Sequence, residues 1–271
     1  MSNKEETRDF IRSRYTDIAA NNSAGCGCGA GCCGNSPSLT ANDISKSIGY
    51  SDEDVTGIPD AANMGLGCGN PIAIAALKEG ETVLDLGSGG GFDCFLARRQ
   101  VGETGIVIGV DMTPDMISLA RANAEKSGFS NIEFRLGEIE HLPVADNSVD
   151  VIISNCVINL ALNKEQVFRD AYRVLKNGGR LSISDVVATA ELPEAVKQDM
   201  QLLSGCIAGA EHVDKVRIML RDAGFVNITL TPKDNSREII GSWVPGRNLE
   251  DYVASYIIEA NKQKSAVLKQ P

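Results

Sequence analysis

The sequence predicts an α/β fold: a mostly parallel, seven-stranded sheet with helices on both faces, plus a small C-terminal α+β part. Three observations carry this expectation. From residue 82 onward short apolar runs alternate with helical stretches, the pattern of right-handed βαβ crossovers. The first run, 82–86, passes directly into Gly87-Ser88-Gly89-Gly90-Gly91 and then a helix. A chain of 271 residues can also bury roughly three quarters of its unfolded surface without a staple.

Each element follows from local pattern. Residues 4–20 place Phe10, Ile11, Tyr15 and Ile18 at helical spacing and read as an amphipathic helix. Residues 25–34 contain only Gly, Cys and Ala, which excludes a stable helix or strand and leaves a thiol-loaded loop. Residues 38–69 are turn-rich and are expected to cap the site. Strands are predicted at 82–86, 106–110, 131–136, 149–154 and 180–185. Helices are predicted at 92–100, at 114–126 with Pro114 in its favoured early position, and at 164–175 before a turn at Asn177-Gly178-Gly179. Beyond these, 193–208 and 212–223 read as helices, 225–230 and 238–244 as a late antiparallel pair, and 249–261 as a closing helix.

Charge and cysteine content narrow the function. Lys and Arg total 26 against 36 Asp and Glu, a net charge of −10. That balance argues against a nucleic-acid or anionic-membrane partner. The first ten residues are charged and lack an apolar core, so no secretory signal is expected. The longest apolar stretches, such as 149–162, are broken by Asp, Ser and Asn, short of the ~20 residues of a membrane span. A soluble, cytoplasmic protein is expected, in which the eight cysteines stay reduced unless they are catalytic or ligating. His141 and His212 are the only histidines and read as surface or capping residues, so sulfur must carry any soft chemistry.

The glycine turn after the first strand allows a ligand close to the backbone and beside helix amides. Phe92 stands where a dinucleotide turn needs a small residue, and Asp85 ends the strand with an acid that suits an ammonium better than a diphosphate. The pattern is Asp85-x-Gly87-x-Gly89-x-Gly91. Asp111 ends the second strand, where a carboxylate accepts from ribose hydroxyls. Glu138 and Ile139 follow the third strand, with Glu138 expected at an adenine amino group or, in the competing role, as a solvated surface acid, and Met112 against the adenine face or as ordinary apolar filler. Asp85, Asp111 and Glu138 together resemble the class I S-adenosylmethionine-dependent methyltransferases, whose fold is Rossmann-like, over residues 82–185.

The acceptor edge lies past the fourth strand, at Ser154-Asn155-Cys156-Val157-Ile158-Asn159. No His or Lys base stands there, but a cysteine does. Cys68, within Gly67-Cys68-Gly69-Asn70-Pro71, and Cys206, within Gly205-Cys206-Ile207-Ala208-Gly209, are expected at the same edge. Asn155 and Asn159 are candidates for shaping the pocket, with loop capping as the competing role. With these motifs, and with Gly241-Ser242-Trp243 and Glu250-Asp251-Tyr252-Val253-Ala254-Ser255, residues 64–261 resemble the microbial arsenite methyltransferases.

That resemblance implies transfer of methyl groups from S-adenosyl-L-methionine to trivalent arsenic held by Cys68, Cys156 and Cys206. Arsenite and methylarsenite are the implied substrates, S-adenosyl-L-homocysteine is the product, and no obligate metal ion is expected. It also implies a fourth, N-terminal redox cysteine, for which Cys32 and Cys33 are adjacent candidates and Cys33 is favoured. Thioredoxin or another thiol reductant would reopen the enzyme disulfide. The expected division is a helix, loop and cap at 1–70, a cofactor-binding domain at 71–187 and a substrate-binding roof at 188–271. Cys94 reads as a packing residue; Cys26 and Cys28 read as auxiliary thiols or as inert, and a tight zinc knuckle is the less favoured alternative for that loop. Two further readings compete: a C-methyltransferase of the quinone or sterol type, and a thiol-based metalloid sensor or buffer.

Overall fold

The computed structural model describes residues 4–21, 40–244 and 246–264. Cys26, Cys28, Cys32 and Cys33 lie outside the described residues. In chain order the elements are α1 (Lys4–Asn21), α2 (Ala41–Ser47), α3 (Asp52–Val55), α4 (Pro71–Ala75), β1 (Thr82–Leu86), α5 (Phe92–Val101), β2 (Ile106–Asp111), α6 (Pro114–Ser127), β3 (Ile132–Leu136) and β4 (Val149–Asn155). They continue with α7 (Lys164–Val174), β5 (Leu175–Ala188), α8 (Glu194–Lys197), α9 (Met200–Ser204), α10 (Val213–Asp222), β6 (Phe225–Pro232), α11 (Ser236–Trp243) and β7 (Val253–Lys262).

The strands form one seven-stranded sheet in the order β3-β2-β1-β4-β5-β7-β6. β1 to β5 run parallel, while β7 is antiparallel to both β5 and β6. This is the expected mostly parallel, Rossmann-like class I architecture. The period of two in the strands divides the core between the faces. Val83, Val151 and Ile153 point into a layer shared with α4, α5, α6 and α11. Leu84, Leu86 and Ile152 point into the opposite layer, against α7 and α10. Because β1 and β4 are neighbours and the order reverses there, their carboxyl ends open a crevice, the usual place for a ligand in such sheets.

The C-terminal part differs from the sequence expectation. Of residues 238–244, expected as a strand, 238–243 belong to α11 and Val244 ends it. Its adjacent Ile239 and Ile240 are both buried because they face two different clusters, an arrangement that reads as a β-branched run in one dimension. Of residues 249–261, expected as a helix, only 249–251 form a single 3-10 turn, and 253–261 lie in β7, the partner of β6. Its buried set alternates but includes Ser255 and Lys262, which broke the apolar period. Both are satisfied: Ser255 Oγ donates to the Cys68 carbonyl at 2.9 Å, and Lys262 Nζ to the carbonyls of Tyr172 and Leu175 at 2.7 and 2.8 Å. The expected turn at 177–179 lies inside β5 as a register shift against β4. The expected helix 193–208 is broken into α8 and α9, where Asp199 caps the second piece by accepting from Gln201 N and Leu202 N.

Candidate active site

A cleft of about 1150 Å³, counted to its open mouth, runs along the carboxyl ends of β1, β2 and β4. Asp85, Gly87, Gly89, Asp111, Met112, Ile139, Asn155 and Cys156 line it, so most of the expected cofactor residues share one wall. Gly87 adopts φ 73°, and a Cβ there would stand 2.2 Å from Val157; the turn that opens the crevice therefore needs glycine.

Two expected residues are placed elsewhere. Gly91 caps α5 in a left-handed conformation with its back to the rings of Phe134 and Phe95, so it serves packing while Gly89 and Gly90 face the cleft. Glu138 is not among the lining residues. Its Oε1 lies 3.2 Å from Arg8 Nε and 3.9 Å from Arg12 of α1, cations distant in sequence that no local pattern announced. The neighbouring Glu140 lines the cleft instead, accepting from Leu162 N at 3.1 Å.

The inner end of the cleft concentrates negative charge. Asp85 is buried and accepts from the Cys94 thiol at 3.3 Å. Asp93, in the first turn of α5, accepts from Tyr50 Oη at 2.6 Å and from Asn155 Nδ2 at 3.3 Å. Asp111 accepts from Gly89 N at 3.0 Å and Thr113 N at 2.8 Å. Burial pushes all three carboxyls up, Asp93 to about 6, and Asp85 is raised further by the charge of Asp93. None forms an ion pair with a cationic side chain among the described residues. Buried, uncompensated carboxylates are costly, so the arrangement fits a cationic ligand. Ser88 Oγ, also buried on this wall, meets no hydrogen-bond partner among the described residues. An ammonium at Asp85 and Asp93, with a ribose at the remaining lone pairs of Asp111, fits these residues. Asp93 and Tyr50 went unnoticed in sequence because an acid early in a helix reads as dipole compensation.

The outer end is built from sulfur. Cys68 Sγ, Cys156 Sγ and a carboxylate oxygen of Asp185 lie within 4.8 Å of one another, all buried. The Cys206 thiol joins them, donating to the Cys156 carbonyl at 2.6 Å. Cys68 and Cys156 thus meet directly and Cys206 lies beside Cys156; of the three only Cys156 is among the residues that line the cleft. Cys156 and Cys206 both adopt left-handed backbone, φ 58° and 64°, a strained choice for non-glycine residues that clusters at functional sites. Gly69 lets Cys68 approach: a Cβ there would stand 1.8 Å from Ser184 Oγ. Burial, then the Cys206 and Cys68 thiols, push the Cys156 thiol well up. At Cys206 the hydrogen bond to Cys156 pulls down, but burial and the Asp185 charge outweigh it. Both shifts favour the neutral thiol, at Cys156 and at Cys206.

Two polar bridges fix this geometry. Asn155 Oδ1 accepts from Cys68 N at 3.0 Å while its Nδ2 reaches Gly69 O, Tyr50 Oη and Asp93, tying the thiol end to the acidic end. Asp185 accepts from Ile158 N, Val186 N and Asn159 Nδ2, and Asn159 Nδ2 also reaches the Cys206 carbonyl at 3.0 Å. Cys94, as expected, is a buried packing thiol beneath α5.

Comparison with known proteins agrees with this site. A family model described as a methyltransferase domain matches residues 77–224. An arsenite methyltransferase of Halobacterium salinarum is 53% identical over 265 residues, 95% of this chain and 67% of that protein. An arsenite methyltransferase of Aquipseudomonas alcaligenes is 44% identical over 176 residues, 62% of this chain and 50% of its own length. The match therefore spans about two thirds of the first relative and half of the second. The solved structure of an arsenic (III) S-adenosylmethionine methyltransferase from Chlamydomonas reinhardtii shares 32% identity at a TM-score of 0.56, covering 87% of this chain and 76% of that one. By sequence and by fold, the chain belongs to the arsenite methyltransferases, a family of S-adenosylmethionine-dependent methyltransferases.

Proposed function

We propose that this chain methylates trivalent arsenic held by the thiolates of Cys68, Cys156 and Cys206. The observation that carries the reading is the buried cluster of Cys68 and Cys156, with the Cys206 thiol on the Cys156 carbonyl, reached through Cys156 from the cleft that also holds unpaired, buried carboxylates. Thiolates suit a soft, thiophilic centre. Arsenite arrives as a neutral hydroxide, and each thiol proton leaves with a hydroxide as water, so no charge need be stored among the sulfurs. Three sulfurs leave the arsenic lone pair directed away from them, into the cleft. S-adenosylmethionine supplies an electrophilic sulfonium methyl.

In this reading Asp85 and Asp93 hold the ammonium, Asp111 the ribose hydroxyls, and Met112 and Ile139 flank the adenine. Residues 71–187 carry the cofactor, 1–70 cap the site and 188–271 roof the arsenic. Since the nucleophile is a lone pair, the site needs no proton acceptor at the attacking atom. Rate then rests on alignment of the two ends. Transfer raises arsenic to the pentavalent state; two enzyme thiolates return the electron pair and become a disulfide. A dithiol such as thioredoxin, or a glutathione-type thiol, reduces it. Cys33 is the assigned N-terminal partner in that step. Arsenite and methylarsenite are the substrates, and the cytoplasm, where thiols stay reduced, is the assigned compartment.

Chromatographic speciation of arsenic tests the reading. Wild type with arsenite, S-adenosylmethionine and a thioredoxin system is expected to give methylated arsenicals. Cys156→Ser and Cys206→Ser are expected to give none while retaining cofactor affinity by calorimetry. Product from either variant would sink the three-thiol site, and arsenic binding without product in wild type would favour a sensor or buffer.

A further inference from the structure

α1 lies across the cleft, and the function proposed above leaves its contacts unexplained. Its inner face presents Ile11 and Tyr15 to the cavity, while Ile18 packs with Met64 and Met116. Its polar side chains are tied on both banks. On the cofactor bank Arg8 and Arg12 hold Glu138, and Thr16 Oγ1 donates to Asp115 at 3.0 Å. On the thiol bank Arg14 donates to Gln201 O at 3.2 Å and to the Ser204 hydroxyl, and Tyr15 Oη donates to Ser204 O at 3.3 Å.

Tyr15 stands where the two ends of the cleft meet. It packs against the cluster that contains Cys68, Cys156 and Cys206, and against Met64 and Met116. Burial first, then the charges of Cys206, Cys156 and Asp111, push its phenol well up, so the ring senses the thiols and the ribose-binding carboxylate together. A large, uncharged ring at that point excludes water from the space through which a methyl group would pass.

We infer that α1 is a strap, latched by Arg8 and Glu138, that seats Tyr15 as the wall sealing the chamber between cofactor and thiols. Tyr15 is thus a positioning residue, and Glu138, expected from sequence at the adenine, acts through the strap. The inference rests on the site proposed above. The latch is partly exposed, with side-chain exposures of 23% and 33%, which suits a contact that opens and recloses.

Thiol alkylation in the full chain, free of arsenic, tests this without reference to methylation. Iodoacetamide labelling would be followed residue by residue by peptide mass spectrometry. Cys156 and Cys206 are expected to react through opening of the strap. Cys94, a fully buried residue of α5 whose thiol donates to Asp85, reports opening of the sheet core rather than of the strap. Glu138→Gln is expected to speed labelling of Cys156 and Cys206 about two- to fivefold, the worth of one partly exposed ion pair. Arg8→Glu is expected to speed it at least as much, since the new carboxylate faces both Glu5 and Glu138. Tyr15→Ala is expected to speed it by more than about tenfold, with Tyr15→Phe close to wild type because the hydroxyl makes only a long bond. S-adenosylhomocysteine should slow labelling in every variant and should dissociate faster from Glu138→Gln than from wild type. Unchanged rates in Glu138→Gln and Tyr15→Ala, or acceleration of Cys94 in step with the others, would overturn the strap. A chain that labels as expected yet makes no methylated arsenical would overturn the proposed function alone.

Discussion

Asp93 and Asp185 mark the two ends of the site, and both are carboxyls that burial holds well above the ordinary 3.8, at about 6 and about 7. The native state therefore keeps protons that the unfolded chain has already released between 3.8 and these values. Stability contributed by such groups is full below the ordinary carboxyl range and is lost as pH rises through the folded values. The melting temperature of the ligand-free protein is expected to fall from pH 5 to about pH 8, and calorimetry at unit steps measures it. Partners that lower Glu81 and Asp199 act in the opposite sense, but below the ordinary carboxyl range and so outside this window. Asp185→Asn should flatten the upper part of the curve. An ammonium beside Asp93 favours its ionised form, so the stabilisation given by S-adenosylhomocysteine should grow as pH rises through about 6. A melting temperature that climbs steadily from pH 5 to about pH 8 would contradict the assignment of both carboxyls.

Elements matter here mainly for how their ends are pinned. The loop after β4 and the segment after α9 carry Cys156 and Cys206 in left-handed backbone, and one amide group spans them: Asn159 Nδ2 reaches Asp185, Val186 O and Cys206 O. Asn159→Ala is expected to destabilise the fold by about 1–3 kcal/mol through the orphaned acceptors. It should raise the arsenite KM about tenfold, which corresponds to ~1.4 kcal/mol, and leave S-adenosylhomocysteine affinity unchanged, since Asp85, Asp93 and Asp111 lie at the other end. A parallel loss of cofactor affinity would mean that the asparagine supports the whole fold rather than the thiol end. The same elements show what sequence can and cannot reveal. β1, β2 and β4 are apolar in an interior sheet, and the acid-glycine turn after β1 has a local signature, so they were legible. β7 was not, because its buried Ser255 and Lys262 are satisfied by carbonyls distant in sequence. For Glu138 the local motif suggested adenine, whereas its partner arrives from α1.

On the scale of the whole molecule, Cys68 precedes the sheet, Cys156 follows β4 and Cys206 follows α9, so a centre bound by all three sulfurs cross-links the cap, the sheet and the roof. Spacing in the chain does not reveal such a site; the place of Cys156 past the fourth strand, of Cys68 before the first and of Cys206 after the fifth suggested a shared edge, and the resemblance of the motifs implied the three-thiol set. Its consequence is thermodynamic. A ligand that binds the native arrangement and not the separated cysteines stabilises by mass action, by about 2.7 kcal/mol at a concentration of a hundred times Kd. For a chain of this length each kcal/mol moves the melting temperature by about 2–4 °C. Arsenite at that excess is therefore expected to raise the melting temperature by about 5–10 °C. Because unfolded cysteines also bind arsenic in pairs, the observed rise should lie toward the lower end. Cys68→Ser, Cys156→Ser and Cys206→Ser should each abolish most of it, as two sulfurs bind the unfolded chain nearly as well. Cys94→Ser should keep it. A rise that survives any one of the first three substitutions would show that arsenic spans only two of the segments, and the cap, sheet and roof would then not be joined through a single centre.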